Sequence, residues 1–176
     1  MQTKIKKIIV DYVSPVMFAL ILSLFIRTYI AEAYWIPSES MVPTLNVNDH
    51  LIVEKVSEKI VGFERGDVIV FKAPPQLAKD ENLIKRVIGL PGDTIEIRKG
   101  KLYVNNEVLD EPYVKVKMNQ DFKSFTVPEN SLFVMGDNRN NSYDSRYWGV
   151  VPQENVIGKA VARYYPLNEM GLLSHK

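Results

Sequence analysis

Residues 36–45 read IPSESMVPTL and place two serines, Ser38 and Ser40, between two prolines. Proline fixes φ near −65° and restricts the residue before it, so this segment is predicted to be extended or turned. A serine on such a loop could act as a nucleophile, but its hydroxyl attacks only when a base takes its proton. The same composition also suits a linker, so both interpretations stay open until a base is found.

Few residues of this chain can act as that base. The chain has no cysteine and only two histidines, which excludes thiol nucleophiles, disulfides and Cys-ligated zinc. His50 lies where a strand is predicted to begin, and an exposed turn histidine is the simpler interpretation there; His175 is one residue from the C-terminus. Lys85 lies inside an apolar run, and a neutral lysine can replace histidine in Ser/Lys hydrolases. Strand alternation would place Lys85 and Arg86 on opposite faces, so that one of them points inward; the alternative is an edge strand with both charges in water.

A second polar segment, residues 136–149 (GDNRNNSYDSRYWG), follows directly after a predicted apolar strand. Its acidic and basic residues alternate, which predicts a loop that is ordered by arginine–carboxylate pairs. These residues are Asp137, Arg139, Asp144 and Arg146. A solvated surface turn is the alternative. The Asp and Asn side chains also resemble a calcium loop, but the glutamate of the twelfth position is missing, so we predict no metal site.

The elements that must position these residues are predominantly strands. After residue 35, short apolar runs with turn residues between them predict an all-β domain without a helix of ten or more residues. The predicted strands are 50–56, 67–72, 83–89, 94–97, 101–104, 131–135 and 156–165. The predicted turns are Pro91-Gly92, Lys99-Gly100 and Asn105-Asn106, and the predicted loops are 73–82 and 116–123.

The N-terminal segment differs sharply from the rest of the chain. Residues 8–26 contain 15 apolar residues in 19, and 19 helical residues reach about 28 Å, close to a hydrocarbon core of about 30 Å. Three lysines precede this run, so the positive-inside rule predicts a cytoplasmic N-terminus with the remainder of the chain outside. These lysines are Lys4, Lys6 and Lys7, and the residues expected at the far interface are Arg27, Tyr29, Tyr34 and Trp35.

Two other interpretations of this segment remain possible. One is a cleavable secretory signal that ends at the small residues Ala31-Glu32-Ala33, and the other is a buried helix of a soluble domain. Asp11 and Pro15 are unusual deep in a span and are tolerated if it begins near Val13 and continues through Ile30. We predict a retained anchor. The predicted division is 1–33, cytoplasmic N-terminus and transmembrane anchor, and 34–176, extracytoplasmic β-rich domain.

Four segments in this order resemble the motifs of bacterial type I signal peptidases, also called leader peptidases. They read IPSESMVPTL, RGDVIVF, IKRVIGLPGD and GDNRNNSYDSRYWG, and they follow the N-terminal apolar run. The resemblance extends from Arg27 to Pro152. It implies a Ser/Lys serine protease of mainly β fold, with an N-terminal transmembrane helix and an antiparallel β-sheet or barrel-like catalytic domain. It also implies that neither a cofactor nor a metal is needed.

The resemblance implies a role for each matching position. Ser40 is the implied nucleophile, Lys85 the general base, and Ser38 the side-chain donor to the oxyanion beside the Ser40 backbone N–H. Ser142 would orient Lys85. The implied supporting charges are Asp144, Arg146, Asp137, Arg139 and Arg86. Glu39 and Asn140 depart from the residues that are usual in the family at their positions.

Substrates of this family are translocated preproteins with small residues at −1 and −3, usually Ala-x-Ala. Shallow pockets would select these residues by excluding large side chains. The predicted pocket residues are Ile36, Met41, Leu45, Leu83 and Ile84, with Tyr34 at the rim. The expected partners are signal peptides and membrane lipid at the inner or plasma membrane. The near balance of 22 Lys+Arg against 21 Asp+Glu gives no footprint for nucleic acid.

Two other functions are consistent with parts of this pattern. A Ser-Lys autoprotease of the repressor-cleavage type would lack the N-terminal span and carry its own scissile Ala-Gly bond, and no Ala-Gly occurs here. A membrane-tethered β-module that binds a partner without catalysis would not need Ser40 and Lys85 in these contexts. Labelling by a serine-directed acylating inhibitor separates this binding module from an enzyme.

Overall fold

The structure, a computed structural model, describes residues 7, 9–74, 77 and 81–173. The predicted cytoplasmic Lys4 and Lys6, His175 and five residues of the predicted loop 73–82 lie outside the described residues. The described chain begins with a π-helical turn, Ile9–Val13, that leads into helix α1, Ser14–Tyr29. Pro15 lies in the first turn of α1, where a missing backbone N–H leaves no intrahelical bond unmade.

Helix α1 and the π-helical turn before it together have the length and composition of a membrane span. Residues Val10–Tyr29 form 20 helical residues, and none of the apolar window within them is buried against the rest of the protein. Side chains as large as Phe18 and Leu24 point away from the protein. Because a core helix buries its apolar face, this exposure argues against the interpretation as a buried helix of a soluble domain.

The junction between α1 and the first strand is short and bonded on both sides. Only Ile30 separates Tyr29 from strand β1, and its N–H donates to Ile26 O at 2.8 Å. Its carbonyl accepts from the backbone N–H of Lys55 at 2.8 Å. The Glu32 carboxylate contacts Arg27 at 3.2 Å and Lys55 at 2.9 Å. These bonds hold the end of the helix against the sheet.

The remainder of the chain consists mainly of antiparallel strands. They are β1 (Ala31–Trp35), β2 (His50–Glu54), β3 (Val68–Lys72), β4 (Asn82–Gly89), β5 (Thr94–Arg98), β6 (Lys101–Val104), β7 (Glu107–Val108), β8 (Phe122–Thr126), β9 (Ser131–Met135), β10 (Val151–Pro152), β11 (Val156–Tyr165) and β12 (Gly171–Leu172). The short helices are α2 (Ser57–Ile60) and α3 (Ser145–Trp148), and 3-10 turns occur at Glu39–Met41, Gln153–Asn155 and Leu167–Glu169.

These strands form two sheets in which every pairing is antiparallel. The larger sheet has the order β1-β2-β11-β3-β4-β9-β10, with β12 beside β11, and the smaller sheet has the order β7-β6-β5-β8. All seven predicted strands are present within two residues of the predicted bounds. The prediction of a mainly β, antiparallel domain after an N-terminal apolar helix is therefore confirmed.

Two strands of five residues were not predicted. Strand β1 follows directly after the apolar helix and pairs with β2, with Ala33 opposite Ile52. It begins three residues before the boundary predicted at residue 34. Strand β8 includes the last two residues of the predicted loop 116–123, because Phe122 and Phe125 pack against Phe133 with ring centroids 5.4 and 6.0 Å apart.

Strand β4 lies in the interior of the larger sheet, between β3 and β9. Its side chains alternate between two apolar clusters, since Ile84 packs with Val68 and Val70 while Val87 packs with other residues. Both faces of β4 are therefore covered, and Lys85 is 4% exposed and Arg86 1% exposed. The alternative that these two charges lie in water on an edge strand is wrong.

Candidate active site

Ser40 lies in the 3-10 turn Glu39–Met41, between β1 and β2. Apolar side chains anchor this turn on both sides, because Ile36 and Met41 are buried in the core of the larger sheet. The Leu45 N–H donates to Met41 O at 2.9 Å and closes the segment after the serine. The turn is thus rigid, and it leaves Ser40 8% exposed.

Lys85 places its amine next to this serine. Its Nζ donates to Ser40 Oγ at 2.8 Å and to the carbonyl of Ile84 at 2.8 Å. Burial lowers the pKa of Lys85 to about 8, although the carboxylates of Asp144, Asp137 and Glu81 act in the opposite direction. With this pKa about one lysine in ten is neutral at pH 7, against roughly one in 2,500 for a free lysine. A neutral Nζ at this distance can accept the proton of the Ser40 hydroxyl.

The two other predicted serines lie close to Ser40 in different environments. Ser38 is exposed, and its Oγ lies 3.4 Å from Ser40 Oγ. Ser142 is buried, and its Oγ has no hydrogen-bond partner among the residues that the structure describes. The hydrogen bond expected from Ser142 to Lys85 is therefore not formed in this structure.

Residues 136–138 hold the backbone of the 3-10 turn Glu39–Met41, which contains Ser40. Asn138 donates from its backbone N–H to Ser40 O at 3.0 Å and from Nδ2 to Glu39 O at 3.1 Å. A Cβ on Gly136 would collide with both Ser40 O and Ser142 Oγ, so only glycine permits this close approach. Residues 136–138 and the turn that contains Ser40 are therefore bonded and packed directly against each other.

Arginine–carboxylate pairs order this loop, as predicted, but two of the partners differ from the sequence neighbours. Asp144 pairs with Arg146 at 2.8 Å and also accepts from the backbone N–H of Gly136 at 3.0 Å. Asp137 pairs with Arg86, and Arg139 pairs with Glu111, which the sequence analysis did not single out. Each loop charge that was not paired locally is thus paired to another element of the fold.

The Asp137–Arg86 pair connects the loop to the strand of the lysine. Arg86 Nε and Nη2 donate to the two oxygens of Asp137 at 2.9 and 2.7 Å, and both side chains are fully buried. Thr44 Oγ1 donates to the same carboxylate at 2.5 Å. Because Arg86 follows Lys85 and Thr44 follows the turn that contains Ser40, one carboxylate fixes both segments relative to each other.

A cleft of about 460 Å³ opens beside Ser40 and Lys85. Its lining residues are Ser38, Glu39, Ser40, Leu77, Glu81, Leu83, Lys85, Asn141 and Tyr143. Asn141 Nδ2 lies 3.3 Å from Glu39 Oε2, so the unusual Glu39 carboxylate faces this cleft. Asn140 instead donates to the carbonyl of Lys117 at 3.0 Å and is not among the residues that line the cleft.

The predicted pocket residues are placed mainly in the core. Of the six, only Leu83 is among the described residues that line the cleft. The buried residues Ile36, Met41, Leu45 and Ile84 belong to the core of the larger sheet, and Tyr34 packs against that core. Apolar residues next to a reacting group in sequence indicate burial as readily as a pocket, and only the fold separates the two.

His50 contacts two tyrosines of β11 rather than Ser40 or Lys85. The imidazole of His50 lies 3.3 Å from the hydroxyl of Tyr164 and packs edge-on against Tyr164 and Tyr165. Within the described ranges, no His, Asp and Glu side chains form a group of three or more that could hold a metal ion.

The Ser40 hydroxyl and the Lys85 amine of lowered pKa lie side by side and buried. This is the combination that nucleophilic acyl transfer by a Ser/Lys hydrolase requires.

Comparison with known proteins identifies the family. The family described as signal peptidase, peptidase S26, matches residues 9–165. Signal peptidase I of Leptolyngbya laminosa is 45% identical over 98% of this chain and 87% of that protein, and signal peptidase I S of Bacillus subtilis (strain 168) is 36% identical over 94% of each. A crystal structure of a signal peptidase I from Enterococcus faecalis V583 is 38% identical, with a TM-score of 0.47 over 55% of this chain and 95% of that chain.

On the strength of the sequence matches, the chain belongs to the signal peptidase family, peptidase S26. The resemblance found in the sequence is confirmed, and so is the prediction of a hydrolase.

Proposed function

We propose that this protein is a membrane-anchored Ser/Lys endopeptidase that removes signal peptides from translocated preproteins. The observation that carries the proposal is the 2.8 Å separation of Lys85 Nζ and Ser40 Oγ at the wall of an open cleft. The relatives named signal peptidase I support the substrate class. No cofactor or metal has a role in this mechanism.

In the proposed mechanism, neutral Lys85 takes the hydroxyl proton of Ser40 while Oγ attacks the carbonyl carbon of the scissile bond. The carbonyl electron pair moves to its oxygen, where the Ser38 hydroxyl and the Ser40 backbone N–H donate hydrogen bonds. Lys85 then gives the proton to the leaving amine as the C–N bond breaks, which leaves an acyl-enzyme. Lys85 next takes a proton from water, whose oxygen attacks the ester carbonyl carbon. As the ester bond to Ser40 Oγ breaks and the carboxyl product leaves, Lys85 returns this proton to Oγ.

The remaining site residues have positioning roles in the proposal. The Asp137–Arg86 and Asp144–Arg146 pairs hold the nucleophile turn (Glu39–Met41) and strand β4, which carries Lys85, in place relative to each other. The buried, bidentate geometry of both pairs supports this role. Ser142 has a buried hydroxyl with no protein partner among the described residues, so it is available to bond the Lys85 amine when the lysine changes protonation state.

The cleft is proposed to accept small side chains at −1 and −3, as in Ala-x-Ala. A preprotein with Ala at −1 should be cut by the purified protein, and replacement of this Ala by Trp should lower kcat/KM by about 100-fold, since overpacking a fitted site costs up to about 3 kcal/mol. The matched control is Trp at −2, because alternate side chains of an extended peptide point to opposite sides. Equal cleavage of all three preproteins would contradict the proposed specificity.

The proposed topology places residues 1–33 as cytoplasmic N-terminus and anchor and the β-rich domain outside, in contact with membrane lipid. The exposed apolar surface of α1 supports the anchor, and the three lysines before it support the orientation. Protease added outside spheroplasts should digest the β-rich domain and leave at most a short anchor fragment. A domain that stays protected until the membrane is lysed would reverse the orientation.

A further inference from the structure

Glu111 is an acidic residue whose side chain is largely covered by its neighbours and does not line the cleft. It lies between β7 and β8, in the part of the chain that forms the smaller sheet. Its carboxylate accepts two hydrogen bonds from Arg139, one of them from Nη1 to Oε2 at 2.6 Å and the other from Nη2 to Oε1. The Tyr113 hydroxyl donates to the same Oε1 at 3.1 Å. The side chains of Arg139 and Glu111 are 0% and 8% exposed.

Arg139 transmits this anchoring to the nucleophile turn. Its Nε donates to Gly136 O at 3.0 Å, and two residues further along the chain the Asn138 N–H donates to Ser40 O at 3.0 Å. Gly136 also lies so close to Ser40 O that no Cβ fits between them. A shift of the Arg139 guanidinium therefore moves the segment against which the Ser40 backbone is held.

Tyr113 extends the same contact to the strand of the lysine. Arg86 Cζ lies 4.0 Å and Arg139 Cζ lies 5.9 Å from the centroid of the Tyr113 ring. Such cation–π contacts stabilise a guanidinium against an aromatic face. Glu111 thus contacts Arg139 directly, and it contacts Tyr113, whose ring also packs against Arg86, the residue that follows the proposed base.

We propose that Glu111 is a positioning residue for the reaction: it fixes Arg139 and, through Gly136 and Asn138, sets the place of Ser40 relative to Lys85. This inference rests on the proposed function. Glu111→Gln removes the anionic partner of a buried guanidinium, which then has to find other acceptors or water. Small displacements of reacting groups are sufficient to slow a reaction, since an error of about 1 Å can cost about 100-fold in rate.

The test uses the full-length protein in detergent and a serine-directed acylating inhibitor that counts active sites. For Glu111→Gln, kcat per labelled site on a preprotein should fall by about 10- to 100-fold. KM should stay within about twofold, because the residues that line the cleft are unchanged. The matched control is Glu107→Gln, an exposed glutamate in β7 of the same sheet, which should leave both constants unchanged.

A double variant separates positioning from a purely structural role. Replacement of a buried ion pair by apolar side chains is often neutral for stability, so Glu111→Met with Arg139→Met should recover the Tm that Glu111→Gln loses. The kcat of this double variant should stay low, because Arg139→Met removes the Nε–H that donates to Gly136 O. Tyr113→Phe keeps the ring on both arginines and removes only the bond to Glu111, so its kcat should fall by less than that of Glu111→Gln.

Three outcomes would overturn the inference. A kcat per labelled site in Glu111→Gln equal to that of the wild type would show that Glu111 does not position Ser40. Recovery of kcat together with Tm in the double variant would reduce its role to stability. A wild-type protein that is neither labelled nor able to cleave a preprotein would overturn the proposed function, and this inference with it; the first two outcomes leave the proposed function intact.

Discussion

Ser40→Ala should lower kcat for preprotein cleavage by about 10⁶-fold, the loss observed when the nucleophile of a serine protease is removed. The attacking oxygen is gone, and water in the cleft would have to replace it without the covalent intermediate. Covalent labelling by an acylating inhibitor should disappear in the same variant. The measurement is single-turnover cleavage of a preprotein, with the labelled fraction determined by mass spectrometry.

A matched control for this change is Ser124→Ala. Ser124 is an exposed serine in β8, away from the residues that line the cleft, so its replacement should leave cleavage and labelling unchanged. If Ser40→Ala kept a substantial part of the activity, another hydroxyl would have to be the nucleophile, and the proposed mechanism would fail.

The pH dependence of cleavage should follow the protonation of Lys85. With a pKa of about 8, activity should rise with pH to a plateau above this value, and at pH 5 only about one lysine in 1,000 is neutral. Lys85→Met should be inactive across the whole range. Lys85→Arg should be inactive as well, because a guanidinium does not lose its proton here. Kinetics of kcat/KM between pH 5 and 10 measure this profile.

The exposed lysine Lys72 in β3 provides the control for these variants, and Lys72→Met should keep the wild-type profile. The contrary result is a pH profile with its midpoint near 6.5, the ordinary range of an imidazole, that disappears in His50→Ala while Lys85→Met stays active. This result would show that His50 and not Lys85 is the base.

The same lowered pKa has a consequence for stability. Between about 8 and 10.4 the unfolded chain binds a proton at Lys85 that the folded chain does not, so the free energy of unfolding rises with pH in this window. Below pH 8 both states are protonated, and the full destabilisation of about 3 kcal/mol is present. Lys85→Met should therefore gain stability relative to the wild type on going from pH 10.5 to pH 7. Denaturant unfolding at the two pH values measures this difference, and Lys72→Met should show none.

The sequence predicted the strands well because each has a local signal. Residues 101–104, 131–135 and 156–165 have the predicted bounds, and the turn residues Lys99 and Asn105 adopt the positive φ that a tight hairpin needs. Strand β1 lacked such a signal, since its small and aromatic residues also suit a membrane interface or a cleavage site. Only its pairing with β2 identifies it as a strand.

The candidate site was predictable where the chemistry depends on residue type and uncertain where it depends on distance in space. Ser40 and Lys85 are recognisable from their motifs, and the structure brings them together across 45 residues. Glu111 and Thr44 carry no local signal, because an acidic or hydroxyl side chain in a loop is ordinary. Their importance follows from buried partners, Arg139 and Asp137, that only the fold supplies.

The one-residue junction between α1 and β1 fixes the start of the β-rich domain at the end of the helix. Strand β1 has five residues and advances about 17 Å, and residues 36–38 then lead into the turn that contains Ser40. Hydrogen bonds through Ile30 and the ion pairs of Glu32 hold the start of this strand at the end of the helix. If α1 is the proposed anchor and Ser40 the proposed nucleophile, a paired strand and not a flexible tether connects the membrane span to the reacting serine. We expect a membrane-held substrate to present one short stretch of its chain to Ser40, so that the bond to be cut would be selected by its distance from the lipid as well as by its side chains.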